Sequence, residues 1–278
     1  MPYSAEISRA NPSCFLFLID QSGSMVDPIS GSEGKRKCDS VADAINRLLH
    51  NLVIKCARGE GVRDFYEVGV IGYGARVAPA FSGALAGRDL VPLSEVANSP
   101  ARVEERLKKV EDGAGGLLTH KVRFPVWFEP LAKGITPMGE ALSLAHRVLS
   151  WWTPRHPKSF PPIVINITDG EATDSGPVPQ AQALRNLTTE DGNILLFNCH
   201  ISAQPVPPIV FPESDGGLPD DFARTLFQIS SPLPATLREL ARGENLVLGP
   251  ETRGFAFNAD LVELIRFLDI GTRSTSLR

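Results

Sequence analysis

The sequence has little cysteine, little histidine and no long apolar run. Four cysteines occur in 278 residues (Cys14, Cys38, Cys56, Cys199), far apart and with no C-x-x-C pair. That spacing supplies neither a disulfide framework nor a thiolate zinc site. Cys14 and Cys199 fall beside or within apolar runs and read as small buried hydrophobes in a reducing compartment. No apolar stretch reaches the roughly 18 residues that a membrane helix needs. The first residues show no basic segment followed by an apolar one, so no signal peptide is expected. The net charge of −4 leaves no basic footprint for nucleic acid. The five histidines (His50, His120, His146, His156, His200) have no H-E-x-x-H or comparable spacing. No G-x-x-x-x-G-K-[ST] and no G-x-S-x-G is present, which removes the phosphate-cradling loop and the nucleophile elbow. These absences predict a cytoplasmic protein, not an enzyme, with no nucleic-acid and no membrane partner.

What is present is ordinary globular composition, with 42% apolar and 22% charged residues, and three unusual stretches. The first is Phe15 to Met25, FLFLIDQSGSM. Five apolar residues ending in Asp20 read as a buried parallel strand. Its carboxyl end presents Asp20, Ser22 and Ser24 within five residues. The second stretch is Gly134 to Leu142, GITPMGEAL, with Thr136 before a proline that suits the first turn of a helix. The third is Ile163 to Glu171, IVINITDGE, another buried strand that ends in Asp169 and Gly170. Carboxylates and hydroxyls are oxygen donors, which suit a hard cation such as Mg²⁺. In open α/β sheets, ligands bind at the carboxyl ends of the strands, where Asp20 and Asp169 fall.

These three stretches, in this order, resemble the von Willebrand factor A (vWA) domain family. The resemblance covers most of the chain. It implies a metal-ion-dependent adhesion site (MIDAS) made by Asp20, Ser22, Ser24, Thr136 and Asp169. It implies Mg²⁺ as the cation, with Mn²⁺ or Ca²⁺ as alternatives. It also implies a protein partner that supplies an Asp or Glu carboxylate to an open metal position. Within the family the chain is similar to stand-alone bacterial members such as the tellurite-resistance-associated group. That similarity implies an adaptor for a kinase, phosphatase or ATPase. The competing reading is a Mg²⁺-dependent phosphoryl-transfer or hydrolytic enzyme. The haloacid-dehalogenase pattern, however, needs a second Asp where this chain has Ser22.

The rest of the pattern predicts an α/β fold with a doubly wound, mostly parallel sheet, helices on both faces and one antiparallel edge strand. The chain reads as a single domain over 1–278, with its core at about 13–270. Helices are expected at 39–57, 100–110, 136–151, 179–188, 221–229, 235–241 and 260–268. Strands are expected at 65–73, 193–201 and 254–257, with an antiparallel edge at 77–81. Residues 1–12 read as a loosely ordered tail. Pro125 confines 121–128 to an edge strand or a loop. Long connections at 26–37, 111–135 and 202–220 border the candidate site. They suggest a rim made of the basic triplet Lys35-Arg36-Lys37, the segment around Trp127 and the 202–220 loop. Trp127 and Phe128 read either as a small satellite core or as part of that rim. Glu171 and Asp174 read as solvated loop acids, with support of the site's ligands from behind as the alternative.

Overall fold

The computed structural model describes residues 2–29, 34–111, 117–174, 176–201, 206–242 and 246–272. The organising strand, β1 (Ser13–Asp20), is buried along its whole length. Its neighbour on one side is β4 (Tyr66–Tyr73) and on the other β9 (Ile163–Thr168), both parallel to it. β12 (Leu195–Ile201) and then β14 (Phe255–Ala259) continue the parallel sheet beyond β9. Short strands close the two edges in the opposite sense. β5 (Val77–Pro79) and β6 (Val91–Pro92) pair with β4, and β13 (Ile209–Val210) pairs with β14. The resulting sheet has eight strands. β5 is the antiparallel edge strand that the sequence predicts; β6 and β13 are two more.

Near-continuous apolar strands demand cover on both faces. The helices supply it. α1 (Lys37–Cys56), α6 (Ala235–Arg242) and α7 (Leu261–Gly271) pack with Phe15, Phe17 and Ile19 on one face. α3 (Met138–Trp152), α4 (Val178–Arg185) and α5 (Asp221–Ile229) pack with Cys14, Leu16 and Leu18 on the other. The alternation follows from the two-residue period of side chains along a strand. A further short helix, α2 (Leu93–Asn98), lies in a stretch that reads as irregular. β2 (Ala57–Arg58) with β3 (Gly61–Val62), and β10 (Thr188–Thr189) with β11 (Gly192–Asn193), form two small hairpins.

Two expectations are overturned here. The helix expected at 100–110 is a strand, β7 (Arg102–Glu111), paired antiparallel with β8 (Leu117–Val126) in a ribbon outside the main sheet. Val103 and Leu107 are four apart, a spacing that satisfies both a helix and a strand. Pairing along the whole of β8, Pro125 included, decides for the strand. The tail at 2–12 is docked, not loose. The N–H groups of Ser4 and Ala5 donate to the Asp191 carboxylate at 2.9 and 3.0 Å, and Ile7 is buried in the core. The glycine-rich break at 112–116 lies outside the described residues, as do 30–33 and 202–205 in the other long connections.

Candidate metal centre

The chain leaves β1 toward β4 on one side, whereas β9 lies on the other. This divergence is the topological switch point of the sheet, where the carboxyl ends of two adjacent strands open a crevice. Asp20 ends β1, and Asp169 follows the last residue of β9 directly. Both candidate carboxylates therefore stand at that crevice.

Asp20 is fully buried. Its Oδ1 accepts from the Ser22 N–H at 2.8 Å, and its Oδ2 accepts from the Thr168 hydroxyl at 2.7 Å. Burial pushes its carboxyl up to about 6; the Ser22 and Thr168 hydrogen bonds oppose this, and the charge of Asp169 adds to it. The Ser22 and Ser24 hydroxyls are 3.1 Å apart, and Ser24 donates to Asp169 Oδ1 at 2.7 Å. Hydrogen bonds thus link four of the five candidates into one chain. Thr136, 6% exposed, faces the same turn: a Cβ placed on Gly170 would lie 3.9 Å from its Oγ1. Its backbone is pinned at both groups. The Thr136 N–H donates to Thr173 Oγ1, and the Thr173 N–H donates to the Thr136 carbonyl, each at 3.0 Å.

Backbone hydrogen bonds knit the loops that carry these residues. Gln21 N–H donates to the Tyr73 carbonyl at 2.7 Å and Gly23 N–H to the Gly134 carbonyl at 3.0 Å. Lys133 N–H donates to the Gln21 carbonyl at 2.6 Å. Gly134 has φ +97°, and a Cβ there would come within 2.4 Å of the Ala75 nitrogen. Only glycine admits that approach, and it sets the start of the Thr136 segment against the Gly74–Ala75 backbone that follows β4.

A buried polar chain lies beneath the crevice. The Tyr73 hydroxyl donates to Asn166 Oδ1 at 2.7 Å, and Asn166 Nδ2 donates to Asn198 Oδ1 at 3.0 Å. Burial and the charge of Asp20 hold the Tyr73 phenol well above its ordinary range, so it remains a donor. His200 is buried at the same strand end, its ring stacked on Phe257 with centroids 4.8 Å apart. Burial pushes its pKa down to about 4 although Asp169 pulls the other way, so its ring is neutral. No local pattern marks Tyr73 or His200 as belonging to this region. An asparagine inside an apolar strand, as Asn166 and Asn198 each are, is the one cue that was there to be read.

The expected rim is corrected at Lys37 and at Trp127 and Phe128, whereas Lys35 stays partly exposed and Arg36 exposed. Lys35 is ion-paired with Asp43, and Arg36 is paired with Asp39 at 2.7 Å. Lys37 turns inward instead of joining a rim: its side chain is 9% exposed and its Nζ donates to Asp169 Oδ2 at 2.8 Å. Trp127 and Phe128 are each 1% exposed and belong to the main core, not to a rim or a satellite. Their backbone is held by Asn46 of α1. Its Oδ1 accepts from Trp127 N–H at 2.8 Å and Phe128 N–H at 3.1 Å, and its Nδ2 donates to the Phe128 carbonyl at 2.8 Å. Asp174 is half-buried, and it caps α3 by accepting from the N–H groups of Gly139 at 3.1 Å and Glu140 at 2.9 Å.

The donor set fits a hard cation in chemical type, with two carboxylates and three hydroxyls. Among the described residues no group of three or more His, Cys, Asp or Glu side chains could hold a metal ion. A cation here therefore depends on the hydroxyls of Ser22, Ser24 and Thr136 as well as on the acids. That composition excludes soft or borderline metals that need sulfur or imidazole.

No protein-family model matches the sequence, and no curated protein is similar to it in sequence. Some solved structures are similar in fold. Proximal thread matrix protein 1 from the mussel byssus aligns over 81% of this chain and 41% of its own, at 13% identity and a TM-score of 0.41. The vWF domain of the type V pili tip protein Mfa5 from Porphyromonas gingivalis aligns over 58% of this chain and 38% of its own, at 14% identity and a TM-score of 0.33. The ArnB paralog VWA2 from Sulfolobus acidocaldarius aligns over 69% and 35%, at 11% identity and a TM-score of 0.32. The chain spans less than half the length of each of these structures.

Proposed function

We propose that this chain is a vWA-type protein-interaction module that binds its partner through a divalent cation, Mg²⁺ first. Asp20, Ser22, Ser24, Thr136 and Asp169 would hold the cation. One observation supports the reading: Asp20, Ser22, Ser24 and Asp169 form one hydrogen-bonded chain at the switch point of the sheet, with hydroxyls between two carboxylates, and Thr136 Oγ1 faces the Gly170 turn beside them. Bound there, the cation would supply a positive centre for an incoming Asp or Glu carboxylate. The chain's own residues do the rest. Thr168 and the Ser22 N–H hold the Asp20 carboxylate, and Ser24 orients Asp169. No residue is assigned a catalytic role.

The surroundings suit a protein partner. Val26, Leu131 and Ile135 are 46%, 49% and 61% exposed, and they lie on the segments that carry Ser24 and Thr136. They replace Trp127 as the apolar rim. A specific complex usually buries over ~1,000 Å², far more than one carboxylate can. No helix of the described residues is long and apolar enough to cross a membrane. With the scattered buried thiols, we place the protein in the cytoplasm with an adaptor role beside a kinase, phosphatase or ATPase.

Titration calorimetry with Mn²⁺ tests the reading. The wild type should bind one ion saturably, and Asp20→Asn should lose that binding. Equal binding by both proteins, or none by either, would remove the cation from the site.

A further inference from the structure

The Asp169 carboxylate already has a cation. The Lys37 ammonium lies 2.8 Å from its Oδ2 and 3.9 Å from Asp27 Oδ2. Both sides of the closer pair are withdrawn from water: the Lys37 side chain is 9% exposed and that of Asp169 0%. Lysine is rarely buried without a partner, because removing its charge from water is unfavourable. Nor is its position explained by α1. Lys37 is the first residue of that helix, at the end where the macrodipole disfavours a positive charge. Its long stem instead crosses to the far side of the crevice and meets a residue 132 positions away.

The other three carboxylate oxygens of the site are engaged by groups compatible with a bound cation. Asp20 Oδ1 accepts from a backbone N–H, Asp20 Oδ2 from Thr168 and Asp169 Oδ1 from Ser24. A serine hydroxyl that donates to a carboxylate keeps its lone pairs free for a metal. An ammonium has three donors and no acceptor, so it can only compete. Among the described residues, Lys37 is therefore the one cationic contact to these carboxylates and the one whose charge opposes a divalent ion.

We propose that Lys37 is a tethered competitor for the metal: its ammonium neutralises Asp169 in the metal-free protein and must yield that carboxylate when the divalent cation binds. This inference rests on the metal reading above and deepens it. Two consequences follow. Cation occupancy needs a higher free concentration than the five oxygen ligands alone would require. The metal-free site also stays ordered, because Asp169 never lacks a counter-charge.

The test compares Mn²⁺ affinity of the full chain as wild type, Lys37→Met and Lys37→Arg, by calorimetry at fixed ionic strength. Methionine keeps an apolar stem without charge; arginine keeps the charge. Lys37→Met should bind Mn²⁺ at least about tenfold more tightly than wild type, and Lys37→Arg should not. In EDTA, Lys37→Met should melt at a lower temperature than wild type, and saturating Mn²⁺ should reverse the order. Lys37→Gln serves in the same way if Lys37→Met does not fold. Wild type that binds Mn²⁺ while the neutral variants bind it equally or more weakly overturns the competitor role and leaves the metal reading standing. If neither wild type nor the neutral variants bind Mn²⁺, the metal reading falls, and this inference with it.

Discussion

Asp20 is the residue on which stability and binding pull in opposite directions. Burial raises its carboxyl from 3.8 to about 6. The folded protein thus holds that proton more tightly than the unfolded chain does. Its contribution to stability is fully present below the unfolded value and is lost as pH rises through about 6. Above that pH the metal-free protein carries a buried ionised group at a cost of about 3 kcal/mol. Asp20→Asn removes the charge and keeps the shape. In EDTA its stability relative to wild type should rise between about pH 4 and about pH 7 and then level off, as read by urea denaturation. A difference that stays flat across that range would show that Asp20 is not the titrating group. A site residue that costs stability in this way is expected where function, not folding, selects it. The place of Asp20 at the end of a buried strand was legible in the sequence, although Asp also serves there as an ordinary turn or cap former. Lys37 was not legible: its partner lies 132 positions away, and a basic triplet in a loop ordinarily faces water.

At the scale of elements, the site depends on how the loop after β9 holds the start of α3. Thr173 pins the backbone of Thr136, and Asp174 accepts from two of the first N–H groups of α3. Asp174→Ala should lower stability by about 1 kcal/mol, the usual loss for a helix cap. It should also weaken Mn²⁺ binding, because Thr136 lies two residues before α3. Denaturation and titration of this variant check both. A loss of stability with unchanged metal affinity would separate the cap from the site. Asp174 follows a strand end and a glycine, so the sequence alone offered solvation as its simplest use. The ribbon of β7 and β8 shows a different limit. Its apolar residues obey both periods, and the pairing that settles the matter is not local. Arg106 of β7 ties the ribbon to α1 by donating to Asp43 Oδ1 at 2.9 Å. Arg106 also covers the Phe124 ring, with its guanidinium carbon 3.6 Å from the centroid. Trp127 and Phe128 then enter the core because Asn46 supplies partners for their backbone. That amide lies 81 and 82 residues away, beyond any local pattern.

For the whole molecule, the parallel core was legible because β1, β9 and β12 are largely apolar runs, broken by Asn166 in β9 and by Asn198 and His200 in β12, that need cover on both faces. The strand order, and with it the switch point between β1 and β9, comes from the structure and not from the local sequence pattern. The short antiparallel strands β6 and β13 were not legible, since two residues carry no periodicity. The central claim is that this switch point is a metal centre made mostly of hydroxyls. Anomalous scattering from crystals of the Mn²⁺-loaded protein tests it most directly. The account predicts a single strong peak enclosed by oxygens of Asp20, Ser22, Ser24, Thr136 and Asp169, with the Lys37 ammonium withdrawn from Asp169. A peak elsewhere on the molecule, or no peak with the Lys37–Asp169 pair still in place, would contradict it.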